Sequence, residues 1–358
     1  MNNMQMNRYI GNISLSLVET MKKIDKNGKG TLFIVDDRMI LLGVISDGDI
    51  RRWIIETGDL NGNISKIMNK NPITQTSRDV LEAVECMKIH QIRAIPIVDE
   101  KKKVIDVILN IENDNLKVTK DKTILKDIPV VIMAGGKGTR LEPYTKILPK
   151  PLIPIDEIPI MERIINKFTE YGVRDFLATI NYKGNMIKSY FSDVKKNYSI
   201  DYIEEIKPFG TAGSLKLINR KFEQPFFVSN CDILIHADYT DIYKRHMESG
   251  NELTVVVALK VVEVPYGVVY AKEDGQVVFL EEKPKHSYFV NTGLYILNGD
   301  LINDIPEEKF FHMTDLINTL LSQGRKVGMY PISEDSFLDM GEFEEMQRME
   351  ERLNMKTE

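Results

Sequence analysis

Val130-Val131-Ile132-Met133-Ala134-Gly135-Gly136-Lys137-Gly138-Thr139-Arg140-Leu141, followed by Pro149-Lys150-Pro151, decides the fold of the larger part of this chain. A largely β-branched apolar run reads as a buried strand, and it feeds a glycine-rich turn that carries two cations. Lys150 supplies a third cation ten residues on. Glycines have no Cβ, so backbone N–H groups at Ala134, Gly135, Gly136, Lys137, Gly138 and Thr139 can close on phosphate oxygens. Lys137, Arg140 and Lys150 add positive charge. The loop is therefore read as a nucleoside triphosphate loop. Lys137 is followed by Gly138 where a Walker A loop needs Ser or Thr, and Gly136-x-Gly138 is followed by Leu141 where a dinucleotide fingerprint needs Gly.

Outward from that loop, the chain is long for one domain. At 358 residues it exceeds the length of ~100–200 residues expected per domain. The formal net charge of −6 argues against a nucleic-acid or anionic-membrane partner. No apolar run approaches the ~20 residues of a membrane helix, and the first residues lack a signal-peptide pattern. Cys86 and Cys231 read as free thiols in a reducing compartment, and the five histidines show no zinc spacing. A cytoplasmic enzyme, forming a homo-oligomer, is expected.

The first ~125 residues repeat. Val18-Glu19-Thr20-Met21-Lys22 answers Val84-Glu85-Cys86-Met87-Lys88, and Phe33-Ile34-Val35-Asp36 answers Pro96-Ile97-Val98-Asp99. Each unit reads as an amphipathic helix, a short buried strand ending in Asp, a turn and a second apolar strand. Neither unit is long enough to bury a core alone, so the two should pack face to face. The pattern resembles a pair of CBS domains, which bind adenine nucleotides in their clefts. By that resemblance Ser46 would meet a phosphate, Asp49 the ribose hydroxyls, and Arg51 and Arg52 further phosphates. The second repeat has Leu109 and Glu112 at the equivalent places, so one site is expected. Ser46-Asp47-Gly48-Asp49 reads equally well as a turn and helix cap, in which case the module serves dimerisation.

Residues ~110–128 read as a connector, giving tandem repeats over 1–125 (about 1–65 and 66–125) and a second domain over 126–358. From Ile128 onward strands and helices alternate. Apolar positions 160, 161, 164, 165, 168 and 171 mark a helix that stops at Gly172, and Phe176 to Ile180 reads as the next strand. This alternation predicts an α/β fold with a mixed, mostly parallel sheet whose ligands bind beyond the strands' carboxyl ends.

Two acidic residues end apolar runs. Asp232 closes Phe226-Phe227-Val228-Ser229-Asn230-Cys231, and Asp339 follows Phe337-Leu338 and precedes Met340-Gly341. Either one alone is as readily a cap or turn residue. The whole set resembles the nucleotidyltransferases that make nucleotide sugars from a sugar 1-phosphate, over about 128–345. That resemblance implies a Rossmann-like (GT-A-like) domain, with Asp232 and Asp339 holding Mg²⁺. It implies a nucleobase and ribose segment at Gly210, Thr211, Ala212 and Gly213. It places Tyr266, Gly267, Glu282, Asn291 and Thr292 at the sugar, and Arg140, Lys150 and Lys283 on the reacting phosphates.

The CBS pair joined to this domain resembles the bacterial guanylyltransferases of the legionaminic acid pathway, which join GTP and glucosamine 1-phosphate. Mannose- or heptose-1-phosphate guanylyltransferases and thymidylyl- or uridylyltransferases stay open. So does a binding protein of another class, an adenine-nucleotide sensor with a relict transferase domain.

Overall fold

Ser16 begins the first regular helix, α1 (Leu17–Asn27), by accepting the backbone N–H of Glu19, whose side chain returns to the Ser16 N–H. Gly28, at φ 66°, ends it. This capping box and glycine stop satisfy end groups that would otherwise be unpaired. The structure is a computed structural model and describes residues 6–90, 92–110, 123–341, 345–347 and 349. Among the described residues no helix is long and apolar enough to cross a membrane.

The chain divides into two compact units that do not follow its order. One holds 1–118, 259–290 and 333–335; the other holds 119–258, 291–332 and 336–358.

In the first unit, β1 (Ile10–Asn12), β2 (Thr31–Val35) and β3 (Leu41–Ser46) form a three-stranded sheet, and α2 (Asp47–Thr57) follows directly. The second repeat supplies α3 (Val80–Ile89) and a ladder of β4 (Ala94–Val98) with β5 (Val104–Leu109). The expected packing of the two repeats is present. Tyr9, Ile10, Phe33 and Val35 share one buried cluster with Ala94, Val98, Val104 and Val107, and each buried Val, Ile or Phe stabilises by about 1.5–3 kcal/mol. Leu41 N–H donates to Lys102 O and Val104 N–H to Met39 O, so the repeats are also stitched through their backbones. Glu112 and most of the expected connector lie outside the described residues.

The second unit begins with β6 (Val130–Ala134), every residue buried. A short ladder of β7 (Pro154–Ile155) and β8 (Ile158–Pro159) leads into α4 (Ile160–Thr169). That is the helix read from the apolar spacing. Its buried face is Ile160, Met161, Ile164, Ile165 and Phe168, and Gly172 at φ 96° turns the chain. After it come β9 (Asp175–Ile180), α5 (Gly184–Asp193), β10 (Ser199–Glu204), β11 (Phe226–Asn230), β12 (Ile233–Ile235) and α6 (Tyr239–Ser249). Then come β13 (Leu253–Glu263), a hairpin of β14 (Gly267–Ala271) and β15 (Val277–Glu282), β16 (Lys285–Leu297), α7 (Met313–Ser322), β17 (Val327–Ser333) and β18 (Phe337–Asp339), of which 259–290 and 333–335 belong to the first unit.

The main sheet has the order β10-β9-β6-β11-β16-β13-β17. Its first four strands are parallel neighbours, and β16 runs antiparallel to β11. Ala134 pairs with Ile180 and Asn230 with Met133, so the carboxyl ends of β6, β9 and β11 reach one edge together. The glycine loop leaves β6 at that edge, and Asp232 follows β11 there.

Candidate active site at the carboxyl edge of the sheet

The glycine loop leaves β6 at this edge and turns at Gly138, φ 68°. A Cβ there would stand 3.0 Å from both Thr145 Cγ2 and Lys150 Cβ. This glycine therefore lets Lys150 come in behind the loop. Gly136, Lys137, Thr139 and Arg140 are exposed, and Ala134 is buried in the strand.

Asp232 follows β11 by two residues, and Asp339 ends β18. Antiparallel pairing of β12 with β18 aligns Ile233 with Asp339, and Met340 N–H donates to Asp232 O at 2.8 Å. Two carboxylates over a hundred residues apart in sequence are thus set side by side. Burial and the neighbouring Asp232 charge push the Asp339 carboxyl above its ordinary range. The Gly341 N–H, Lys150 and Arg140 pull the other way. Lys150, 8% exposed, donates from Nζ to Asp232 Oδ2. Repulsion between adjacent carboxylates, partly offset by cations, is the usual electrostatic mark of a cation site.

The donor set fits Mg²⁺. Two carboxylates, with phosphate oxygens and waters completing an octahedron, is that ion's habitual arrangement. Burial is the larger cause of the rise at Asp339 and the Asp232 charge the second. Among the described residues no group of three or more His, Cys, Asp or Glu could hold a metal, so substrate oxygens would complete the shell.

Glu205 escaped the sequence reading. It follows β10 and hydrogen-bonds through its N–H to Ile180 O at 2.9 Å. A Cβ on Gly135 would stand 2.5 Å from its Oε1. Residue 135 must therefore be glycine if this carboxylate is to lie against the loop. Burial raises its proton affinity, while the Ser214 hydroxyl, the Phe209 N–H and the Thr179 hydroxyl lower it. Nothing in the spacing separates Glu205 from Glu204; only the pairing of β10 with β9 places it here.

Several of the expected site positions are engaged by the chain itself. Ala212 and Gly213 are buried, and both donate their N–H groups to Phe311 O at 3.0 and 2.9 Å. A Cβ on Gly210 would stand 2.6 Å from the same oxygen. The glycines admit the chain's own backbone, and Gly210 and Thr211 alone stay partly open to a ligand. Thr292 is 2% exposed and donates its hydroxyl to Val256 O at 2.7 Å, so it ties two strands. Asn291 is exposed, but it is engaged with Tyr295 Oη and the Gly293 N–H.

In the other unit, Tyr266, Gly267, Glu282 and Lys283 meet at the base of the β14–β15 hairpin. Gly267 pairs with Glu282, where a Cβ would stand 2.9 Å from Glu282 Oε2, and Lys283 N–H donates to Tyr266 O at 3.3 Å. Lys283 has φ 49°, an uncommon conformation for a side chain with a Cβ. At the start of α2, Ser46 and Asp49 are bonded to one another in a capping box, Arg51 pairs with Asp47, and Arg52 with Asp49. The cap reading of this motif holds in the structure; a ligand would have to open it.

These features define a nucleotide-handling α/β domain preceded by paired repeats. The nucleotidyl transferase family model matches residues 129–355, and the chain belongs to that family. The CBS domain model matches 12–56 and 64–109. A UTP–glucose-1-phosphate uridylyltransferase of Synechocystis is 32% identical over 232 residues, 59% of each chain. The chain thus spans about three fifths of that relative's length. A D-glycero-alpha-D-manno-heptose 1-phosphate guanylyltransferase of Campylobacter jejuni is 29% identical over 59% of this chain and 93% of its own. A crystal structure of a Bacillus anthracis chain described as a glucose-1-phosphate thymidylyltransferase shares the fold. Its TM-score is 0.50 at 23% identity, over 63% of this chain and 94% of that one.

Proposed function

We propose that this protein joins a nucleoside triphosphate to a sugar 1-phosphate, releasing pyrophosphate, with GTP as the nucleotide and glucosamine 1-phosphate as the sugar. The observation that carries the choice of GTP is Glu205 against Gly135. An ionised carboxylate only accepts hydrogen bonds. Guanine presents two adjacent donors, N1–H and the exocyclic N2–H₂, whereas uracil and thymine present one N–H between two carbonyls. The guanylyltransferase relative from Campylobacter jejuni points the same way. The sugar rests on the union of CBS repeats with this domain; mannose and heptose 1-phosphates and the uridylyl and thymidylyl reactions are the alternatives. A relict domain serving only an adenine-nucleotide sensor is disfavoured by the arrangement of Lys150, Asp232 and Asp339.

A phosphate oxygen of the sugar 1-phosphate attacks the α-phosphorus in line, and pyrophosphate leaves. That oxygen is already anionic near neutral pH, so no general base is required. The chain's residues position charge. Arg140 and Lys137, exposed on the loop, hold the departing phosphates. Lys150 transfers its bond from Asp232 toward the α-phosphate as negative charge grows there, and Lys283 holds the sugar phosphate. Asp232 and Asp339 would hold Mg²⁺, which would neutralise triphosphate charge when bound. An adenine nucleotide at Ser46, Asp49, Arg51 and Arg52 is a second proposal; it requires exchange of the capping box for ribose and phosphate contacts.

Pyrophosphate release with Mg²⁺, crossing GTP, UTP, dTTP, CTP and ATP against glucosamine, N-acetylglucosamine, mannose, heptose and glucose 1-phosphates, tests the reading. GTP with glucosamine 1-phosphate should be the most productive pair. Silence across the panel from folded protein would end it.

A further inference from the structure

The β14–β15 hairpin, which carries Tyr266, Gly267, Glu282 and Lys283, belongs to the same compact unit as the repeats. Both of its stems meet them. On the incoming side, Val18, Met21, Lys22 and Asp25 of α1 stand around a small crevice with Leu259 of β13 and residues 333–335. On the outgoing side, Gly58, Asp59, Leu60 and Asn61 face Lys285, His286, Ser287 and Tyr288 of β16 across a cavity of about 380 Å³. Lys285 begins β16 one residue after Glu282-Lys283-Pro284 and pairs with Glu263 at 3.4 Å.

The 58–61 loop is shaped by one side chain. Trp53 of α2, the chain's single tryptophan, donates its indole N–H to Asp59 O at 3.1 Å. A Cβ on Gly62 would stand 2.4 Å from Trp53 Nε1, so the loop closes on the indole face. Asn61 N–H then bonds Asp59 Oδ1 at 2.8 Å, fixing the turn. The opposite end of α2 is the capping box of Ser46 and Asp49. Eleven residues at 1.5 Å each make a rod of roughly 16 Å. One helix thus joins Ser46–Arg52 to the loop beside β16.

We propose that Trp53 is a positioning residue for the sugar 1-phosphate: through the 58–61 loop it sets the start of β16, and hence the Glu282–Lys283 corner. The repeats thereby govern sugar affinity more than nucleotide affinity. A nucleotide that opens the Ser46–Asp49 box would be felt at the same corner. This inference rests on the assignment of Glu282 and Lys283 to the sugar half of the proposed reaction.

The test is steady-state kinetics on the full chain with Trp53→Ala, Trp53→Phe and Gly62→Ala. Trp53→Ala should raise KM for the sugar 1-phosphate at least about fivefold, the lower end of ordinary inter-site coupling. KM for the nucleoside triphosphate should stay within about twofold. Trp53→Phe, which keeps a ring without the N–H, should recover part of the loss. Gly62→Ala displaces the indole from the other side, since its methyl would stand 2.4 Å from Trp53 Nε1, and should show the same split if Trp53→Ala fails to fold. A general structural defect would move both KM values or kcat alone, and either pattern overturns the proposal, as does an unchanged sugar KM. AMP is the probe for the other end of the rod. It should change the emission of Trp53 in wild-type protein and shift sugar KM with the same midpoint. Emission that responds while KM stays fixed refutes the coupling. An inactive wild-type enzyme would refute the reading of the site, and this inference with it.

Discussion

Lys150 and Asp232 form the most informative pair to perturb. Their side chains are 10% and 14% exposed, and Asp339 lies beside them. Removing one partner of a buried pair costs about 3–5 kcal/mol, because a charge is left behind without compensation. The small residual exposure places Lys150→Met near the lower end, about 3 kcal/mol. Asp232→Asn alone strands the ammonium, with Asp339 as a remaining partner, and should cost less, about 1–2 kcal/mol. The double variant replaces charges with neutral groups of similar size, so its loss should be smaller than the sum of the singles by at least ~1.5 kcal/mol, within the range of coupled neighbours. Urea unfolding of the four proteins without Mg²⁺ measures this cycle. Activity should behave differently. A preorganised cation at the α-phosphate is worth about 2.7–4 kcal/mol of barrier, or 10²–10³ in kcat, and the double variant cannot restore it. Additive stabilities would refute the pairing, and a double variant as active as wild type would refute the catalytic role of Lys150.

Glu205→Gln turns one acceptor into a donor. The loss of a hydrogen bond to a charged group, about 1.5–3 kcal/mol, should lower kcat/KM for GTP ten- to a hundredfold relative to UTP; an unchanged GTP:UTP ratio removes Glu205 from base selection. Asp339→Asn should weaken the rise in melting temperature produced by Mg²⁺ with a non-hydrolysable triphosphate. A wild-type response from this variant would place the cation elsewhere. His246 is buried, with its nitrogens against Thr254 Oγ1 at 2.8 Å and Asn298 Oδ1 at 3.1 Å, and burial lowers its pKa. The folded state therefore binds fewer protons than the unfolded one. Its contribution to stability is complete above pH ~6.5 and falls below that at up to about 1.4 kcal/mol per pH unit. The stability gap between wild type and His246→Gln should narrow from pH 7.5 to 5.5, and a constant gap would show that His246 is not held neutral.

The glycine loop, α4 with its stop at Gly172, and the paired repeats were legible because their signals are local and periodic. Asp232 and Asp339 were legible as strand ends, but their adjacency depends on the β12–β18 pairing, which no spacing announces. Glu205 was hidden for a related reason: it is seventy residues from Gly135, and only parallel strand order unites them. The Gly210–Gly213 segment is ambiguous in another way. A glycine requirement can come from a ligand or from the chain itself, and here Phe311 O accounts for the buried part. The hairpin's membership of the repeat unit was illegible because it depends on segments far apart in sequence.

That membership has a consequence for how the molecule is made. The first stretch of that unit runs to residue 118, and its next stretch begins at 259. At ordinary elongation rates the 140 residues between them take roughly 7–28 s to emerge. Throughout that interval Val18 and Met21 have no Leu259 to meet. The nascent repeats must wait on the ribosome with that face uncovered, and their assembly closes only after most of the nucleotide-handling unit has been synthesised.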